Sequence, residues 1–189
     1  MGIFVIVFFV VVVVLVAAGI GYYNGFVSQR NMVEQSFSTI DVMLKNRYDL
    51  IPNIVAAVQQ YMKHENETLT RITELRGQAV NTNADADARV TATNEMNRLL
   101  GNIMLQVENY PELKASQNFR ELHATLEGTE AQLAAARRAY NAAATRFNTS
   151  IEMFPGNVIA GMFGFKRRAL LETPEAERRA PDVKALFRD

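Results

Sequence analysis

An unbroken apolar run from Ile3 to Ile20 limits what this chain can fold into more than any other feature of its sequence. Every residue in the run is Ile, Phe, Val, Leu, Ala or Gly, and none has a charged or polar side chain. As a helix the run extends about 27 Å, close to the roughly 30 Å hydrocarbon core of a bilayer. Tyr22 and Tyr23 follow, where interfacial aromatic side chains are common. We therefore expect a transmembrane anchor over residues 1–22.

A cleaved secretory signal is the main alternative to a retained anchor. Ala17, Ala18 and Gly19 supply the small residues that a cleavage point requires. A signal peptide also has a positively charged segment before a shorter apolar stretch, whereas only Met1 and Gly2 precede this run. The pattern favours a retained, single-pass anchor.

The composition argues against several classes of function. Lys plus Arg and Asp plus Glu each number 20, so the chain has no excess positive charge for a nucleic-acid backbone. Cys is absent, which excludes disulfides, thiol catalysis and thiolate metal sites. The roughly 165 residues that follow the anchor suffice for one domain with a buried core.

Beyond the anchor, apolar residues recur at intervals of three and four, which predicts amphipathic helices. The first stripe contains Val33, Phe37, Ile40, Leu44, Ile51, Ile54, Val58, Tyr61, Leu69, Ile72 and Leu75. Between residues 20 and 30 only Gly21 and Gly25 could interrupt a helix, so we expect the anchor to continue into the domain, bent if anywhere at Gly25. Pro52 predicts a boundary or kink over residues 50–52, because proline fits the first turn of a helix better than its interior.

The rest of the chain predicts further helices. The second is expected to end near Gly77, before a polar loop over residues 81–88, and the third to end at Tyr110 and Pro111. In the fourth, Phe119, Leu126, Leu133, Tyr140 and Phe147 are spaced by seven, a heptad pattern typical of coiled coils. The segments predict an all-α fold, in which the transmembrane helix continues into an antiparallel four-helix bundle over residues 23–155.

Residues 156–189 have a different pattern. An apolar, glycine-interrupted segment over residues 157–165 is followed by Lys166, Arg167 and Arg168. Either this segment lies on the bilayer with its basic residues at the level of the phosphates, or it is an irregular cap on the bundle. From residue 172 onward, alternating charges and two prolines predict an extended or disordered terminus.

Two long segments resemble the bacterial LemA family. The first, residues 23–65, contains the run Ile-Asp-x-x-Leu-Lys-x-Arg-Tyr-Asp-Leu-Ile-Pro-Asn at residues 40–53. The second, residues 108–155, contains a Tyr-Pro-x-Leu-Lys-Ala run, Thr129 with Glu130, the run Arg138–Asn141 and a closing Phe-Pro. The resemblance covers nearly the whole chain. It departs near the C-terminus, where the family tends to end on Pro-x-Val-x-Phe and this chain has a delayed Phe187.

The resemblance implies a membrane-anchored, antiparallel four-helix bundle of bacterial envelopes without established catalysis. Family members are often encoded near membrane metalloproteases or other envelope proteins, and relatives occur among magnetosome proteins. We therefore expect a single-pass protein of the bacterial inner membrane. Arg30 favours a cytoplasmic bundle by the positive-inside tendency, but a bundle of this size can also be translocated, so the side of the membrane stays open.

No catalytic residue, cofactor or metal ligand is predicted. His64 and Glu65 lack the second His one turn later that a zinc helix requires. His123 is interpreted as a surface or boundary residue rather than a general base. The glycines of the tail follow no predicted strand and precede no Gly-Lys-Ser or Gly-Lys-Thr, so they do not match a phosphate loop.

The two family motifs supply the candidates for interaction. They are Asp41, Lys45, Arg47, Asp49 and Asn53 in the first motif, and Glu130, Arg138, Tyr140 and Asn141 in the second. The simpler interpretation is a salt-bridged helix flank, with Asp41 paired to Lys45 and Lys45 to Asp49. Alternatively, Arg47 or Asp49 reaches across to Glu130 or Arg138 and sets the register of the helices, or lines a contact with another protomer.

The expected function is that of a non-enzymatic, membrane-anchored structural or scaffold protein that forms homo-oligomers or organises envelope proteins. The alternative is an adaptor or regulator of a neighbouring membrane metalloprotease. The lipid bilayer is the partner that the anchor itself predicts, and Lys166, Arg167 and Arg168 are the candidates for contact with its surface. A membrane enzyme would require a clustered acid, base or nucleophile, and the sequence indicates none.

Overall fold

A computed structural model describes residues 2–81, 83 and 85–171, apart from the side chains of residues 86 and 87. Throughout these residues the chain forms helices and turns but no strand, which confirms the all-α prediction for this part. The helices are α1 (Gly2–Gln59), α2 (Asn66–Val80), α3 (Ala86–Gln106), α4 (Pro111–Ala115), α5 (Gln117–Glu152) and α6 (Gly156–Phe163), with 3₁₀ turns at Lys63–Glu65 and Val107–Asn109.

Helix α1 is continuous over 58 residues, as the absence of a strong break after the apolar run predicted. Among the described helices, it is the one whose length and apolar composition suffice for crossing a membrane. The side chains of residues 3–16 are all exposed. Because so much exposed apolar surface is unfavourable in water, α1 is compatible with a membrane anchor.

Pro52 lies inside α1, so the helix boundary predicted over residues 50–52 is wrong. A proline cannot donate a hydrogen bond to the carbonyl four residues earlier, which here belongs to Tyr48. Arg76 of α2 supplies the missing donor, and its Nε lies 3.0 Å from that carbonyl oxygen. The helix therefore continues past the proline without leaving the carbonyl of Tyr48 unsatisfied.

Other boundaries also differ from the prediction. Helix α1 ends at Gln59, where the carbonyl of Val58 accepts hydrogen bonds from the backbone of both Tyr61 and Met62. Helix α2 continues beyond Gly77 to Val80 because Ala79 extends its buried row. The polar loop is shorter than expected since α3 begins at Ala86, and the short helix α4, with Pro111 in its first turn, was not predicted.

The chain forms two compact units, one comprising residues 1–37 and 137–189 and the other residues 38–136. We call them the terminal unit and the central unit. The core of the central unit is built from buried apolar residues of α1 to α5, among them Ile51, Ile54, Val58, Leu69, Ile72, Leu75, Met96, Ile103, Leu113, Phe119 and Leu126. All five members of the predicted heptad row of α5 are buried.

The terminal unit is held together by aromatic side chains. Rings of Tyr23 and Phe26 in α1 lie 5.8 and 5.4 Å from the ring of Phe165, and Phe147 of α5 lies 6.3 Å from the same ring. Helix α6 ends at Phe163, and the positive φ of 70° at Gly164 allows the backbone N–H of Phe165 to bond the carbonyl of Ala160. The chain then continues without regular secondary structure through residue 171.

Candidate functional site

The first family motif lies on α1 in the central unit, and one of its five candidate residues is buried. Asp41, Lys45, Asp49 and Asn53 are exposed, whereas Arg47 is buried and only 8% exposed. Burying a guanidinium is unfavourable unless an opposite charge and hydrogen bonds compensate it. Arg47 therefore requires a partner.

Glu130 of α5 is that partner. Nη2 of Arg47 lies 2.6 Å from Oε1 of Glu130, and the two side chains are 9% and 51% exposed. This distance is short for a charge-assisted hydrogen bond between a guanidinium and a carboxylate. The contact between Arg47 and Glu130, one of the alternatives raised by the sequence, is confirmed; its role in setting helix register stays a prediction.

The predicted salt bridges along the flank of α1 are wrong. Lys45 forms no salt bridge with Asp41 or with Asp49, and Asp49 instead lies 3.2 Å from Nη2 of Arg76. Exposed pairs on one helix gain little because water screens the charges and ordering two long side chains costs entropy. Arg76 already donates Nε to the carbonyl of Tyr48, so its guanidinium is held beside Asp49 and loses less entropy in the second contact.

Tyr48 joins a third helix to this arrangement. Its hydroxyl lies 3.0 Å from the hydroxyl of Thr93 in α3, which also donates to the carbonyl of Arg89. The run from Arg47 to Pro52 thus contacts α2, α3 and α5 through polar groups as well as through buried Ile51. The first family motif is therefore the place where α1 contacts three other helices.

Sequence reasoning missed Arg76 and Thr93. The sequence did indicate that a donor such as Arg76 is needed, because a proline inside a strong helical stripe leaves one carbonyl without its donor in the helix. The identity of that donor could not be deduced, since it depends on how α2 packs on α1. No pattern in the sequence singles out Thr93.

Two candidates of the second family motif, Tyr140 and Asn141, lie in the terminal unit and bind the segment after α6. Asn141 donates Nδ2 to the carbonyl of Leu171 (2.9 Å) and accepts the backbone N–H of the same residue (2.8 Å). Asn148 makes the same pair of bonds with the backbone of Arg168, both at 2.8 Å. The hydroxyl of Tyr140 donates to the carbonyl of Ala169 (2.9 Å). We call this set of five hydrogen bonds the tail clasp.

The spacing of the tail clasp follows from the geometry of helix and extended chain. Asn141 and Asn148 are seven residues apart, which is about 10.5 Å along a helix. Their partners Arg168 and Leu171 are three residues apart, which is about 10 Å in an extended chain. Because the two lengths agree, each side-chain amide meets one backbone amide and satisfies both of its polar groups.

Asn148 is a further residue that sequence reasoning missed. It is one of two buried polar or charged residues in the described part of the chain, at 5% exposure, beside buried Phe147. Two asparagines seven residues apart on an otherwise apolar helix face could have indicated paired polar contacts. Arg138, the remaining candidate of the second motif, is exposed and forms no salt bridge with a described residue.

The basic run after α6 is exposed and partly paired. Nε of Arg167 lies 2.9 Å from Glu152, and Nη2 of Arg168 lies 3.0 Å from Glu34 of α1. Lys166 is exposed without a salt bridge to a described residue. Of the two interpretations left open for this segment, the tail clasp supports a cap that packs on α5, and contact with a bilayer stays a prediction.

Within the described residues, no group of three His, Asp or Glu side chains is arranged to hold a metal ion. His123 packs parallel to the ring of Phe119 at 6.0 Å, and its Nε2 lies 3.5 Å from Glu127. A histidine stacked on a ring beside an exposed carboxylate fits the boundary position that the sequence indicated. The tail from residue 172, predicted to be extended or disordered, lies outside the described residues.

Comparison with known proteins points to the same family as the two motifs. The chain is 28% identical over 185 residues to protein LemA of Metamycoplasma hominis, which covers 95% of this chain and 84% of that protein. It is 24% identical over 181 residues to magnetosome protein MamQ 2 of Paramagnetospirillum magneticum (82% and 66%), and 22% identical over 170 residues to magnetosome protein MamQ of Magnetospirillum gryphiswaldense (77% and 62%). The chain thus spans less than two thirds of the length of these magnetosome relatives. The model of the LemA family matches residues 36–185, so the chain belongs to the LemA family.

Proposed function

We propose that this protein is a non-enzymatic, membrane-anchored structural protein that self-associates into homo-oligomers or organises envelope proteins. It has a transmembrane anchor over residues 1–22, an antiparallel four-helix bundle over residues 23–155 and a C-terminal tail over residues 156–189, and it resides in a bacterial inner membrane. The observation that carries this proposal is α1, which joins an exposed apolar stretch to buried residues such as Phe26, Val33 and Ile40 without a break.

The contacts that the motif residues form within the chain support a structural function. Arg47 and Glu130 pair with each other, Asp49 pairs with Arg76, and Tyr140 and Asn141 hold the chain's own backbone. These contacts join the chain's own helices and backbone segments, which is what a structural function requires. Exposed Asp41, Lys45, Asn53 and Arg138 remain as candidates for contact with another protomer or an envelope protein.

Two measurements on the full-length protein test the proposal. We expect the protein to stay with membranes after carbonate extraction, because an apolar helix of about 20 residues partitions strongly into the bilayer. We then expect light scattering in mild detergent to give a mass of at least two chains. A protein released by carbonate would contradict the anchor. A single-chain mass, together with co-purification of a membrane metalloprotease, would contradict self-association and favour the adaptor alternative.

A further inference from the structure

An apolar face around α6 is largely exposed in the described part of the chain. It comprises Met153, Phe154, Val158, Met162 and Phe163, which are between 54% and 82% exposed. Single exposed apolar side chains are common on protein surfaces, but a cluster of this density on a short segment marks an interaction surface. Phe154, at 82%, is the most exposed of the five.

Helix α6 lies beside the residues of α1 that directly follow the apolar run. The rings of Phe163 and Tyr23 are 4.8 Å apart, and a Cβ on Gly156 would lie 3.0 Å from the ring of Phe26. Residues 23–26 are roughly 5–9 Å along the helix axis from Ile20. This offset matches the headgroup layer, which is about 5–8 Å thick on each side of the hydrocarbon core.

Positive charge lies next to the apolar face. A cavity of about 300 Å³ is lined by Arg30, Lys166, Arg167 and Arg168 together with Tyr23 and Phe163. Glu34 and Glu152 are the carboxylates paired with these cations, so cationic side chains outnumber them. Apolar side chains with basic side chains beside them are the combination by which short helices bind an anionic bilayer surface.

We propose that α6 docks on the surface of the membrane that holds α1, with Phe154, Val158 and Met162 among the acyl chains. Lys166 and Arg167 then bind phosphate groups of anionic phospholipids. The inference rests on the proposed anchoring of α1. A lipid surface is favoured over a protein partner because the packing of α6 on Tyr23 and Phe26 keeps the helix at headgroup depth, where its apolar face meets the adjoining acyl chains.

Single-cysteine variants test the docking, since the natural chain has no cysteine. Val158→Cys, Met32→Cys and Val13→Cys are each labelled with a fluorophore in the full-length protein. The labelled proteins are placed in nanodiscs whose lipids carry a spin-label quencher near the top of the acyl chain. Met32 is 48% exposed and about 18 Å along the helix from Ile20, so it serves as the control outside the headgroup layer. Circular dichroism verifies that each variant is helical.

We expect the label at position 158 to be quenched at least about twofold more than the label at position 32, because acyl chains surround it. Quenching at position 13 reports the anchor separately. Quenching at 13 without excess quenching at 158 overturns the docking and leaves the anchor standing, whereas no quenching at 13 overturns the proposed anchor. A label at 158 that is shielded in native membranes but accessible in nanodiscs indicates a protein cover and also overturns the docking.

Lipid charge tests the basic side chains. Replacing a third of the phosphatidylcholine by phosphatidylglycerol should raise quenching at position 158 by about twofold, and Lys166→Gln with Arg167→Gln should abolish the increase. Lys63→Gln with Arg71→Gln removes the same charge from exposed positions outside the cavity and should retain it. Equal quenching with and without phosphatidylglycerol would overturn the proposed binding of anionic lipid.

Discussion

Arg47 is a buried residue whose positive charge requires a compensating partner. In the described residues Arg47 and Asn148 are the two buried polar or charged residues. Nη2 of Arg47 donates to Glu130 while its buried Nε has no hydrogen-bond partner among the described residues, and the side-chain amide of Asn148 bonds the backbone of Arg168. Glu130 is half exposed, so water screens part of the attraction and the pair contributes less than a fully buried one.

Replacing each member of this pair should reveal the coupling. We expect Glu130→Gln to lower the free energy of unfolding by about 1–2 kcal/mol, because it leaves the buried charge of Arg47 poorly compensated. In an Arg47→Met background the same change should be nearly neutral. Chemical unfolding in mild detergent measures the four proteins of the cycle, with the exposed Glu127→Gln as the control.

Equal costs for Glu130→Gln in both backgrounds would mean that the ion pair is not the source of the effect. If Arg47→Met leaves both thermal stability and oligomer size unchanged, Arg47 has no role in helix register.

The donor that Arg76 supplies to Tyr48 should matter only while Pro52 is present. Pro52→Ala restores the backbone N–H that can bond the carbonyl of Tyr48 within α1. We therefore expect Arg76→Gln to cost about 1–2 kcal/mol in the natural protein and clearly less in the Pro52→Ala background. Unfolding of the single and double variants gives the comparison, and Arg71→Gln, an exposed arginine of the same helix, is the control.

A cost of Arg76→Gln that does not depend on residue 52 would assign the effect to the salt bridge with Asp49 alone.

At the scale of elements, the tail clasp shows how one helix holds an irregular segment. A segment without secondary structure has backbone groups that need partners, and α5 provides them through two asparagine side chains at matching intervals. The extended segment then covers Tyr140, whose ring is also 5.7 Å from that of Phe37.

Removing both clasp amides should release the segment. We expect trypsin to cleave after Arg168 about 10 to 100 times faster in an Asn141→Ala, Asn148→Ala double variant, because each lost side-chain amide weakens the docked state by roughly 1 kcal/mol. Mass spectrometry of timed digests follows the cleavage. Asn157→Ala, an exposed asparagine of α6, is the matched control, and equal rates in the two variants would show that the clasp does not hold the segment.

At the scale of the whole molecule, the central question is whether residues 1–22 stay attached. We expect the intact mass of the membrane-extracted protein to include them, since α1 continues through residues 17–19 as an unbroken helix and leaves no extended site for a signal peptidase. Mass spectrometry of the purified full-length product decides this. A mass lacking the first 17 to 20 residues would support the cleaved signal instead.

Local patterns in the sequence predicted much of this protein because their physical cause is local. The intervals of three and four in α1 and α2 and the heptad row of α5 follow from the period of a helix. The heptad row is buried, and so are most residues at the intervals of three and four, although Phe37 is 46% exposed, Tyr61 is 38% exposed and Leu44 is only partly buried. The apolar run of α1 needs no partner in the chain to be recognised. Pro52 misled the same reasoning, since its usual consequence is cancelled by a side chain distant in sequence.

The sequence by itself therefore determined the all-α class and the apolar helix long enough to cross a membrane. It also indicated most of the buried rows and, through two motifs, membership of the LemA family. Only the tertiary structure decided which polar groups meet: Arg76 with Tyr48, Arg47 with Glu130, and Asn148 with Arg168. The physical reason is that hydrophobic burial needs only a pattern along one helix, whereas a hydrogen bond needs two particular atoms within about 3 Å, and folding alone brings them there.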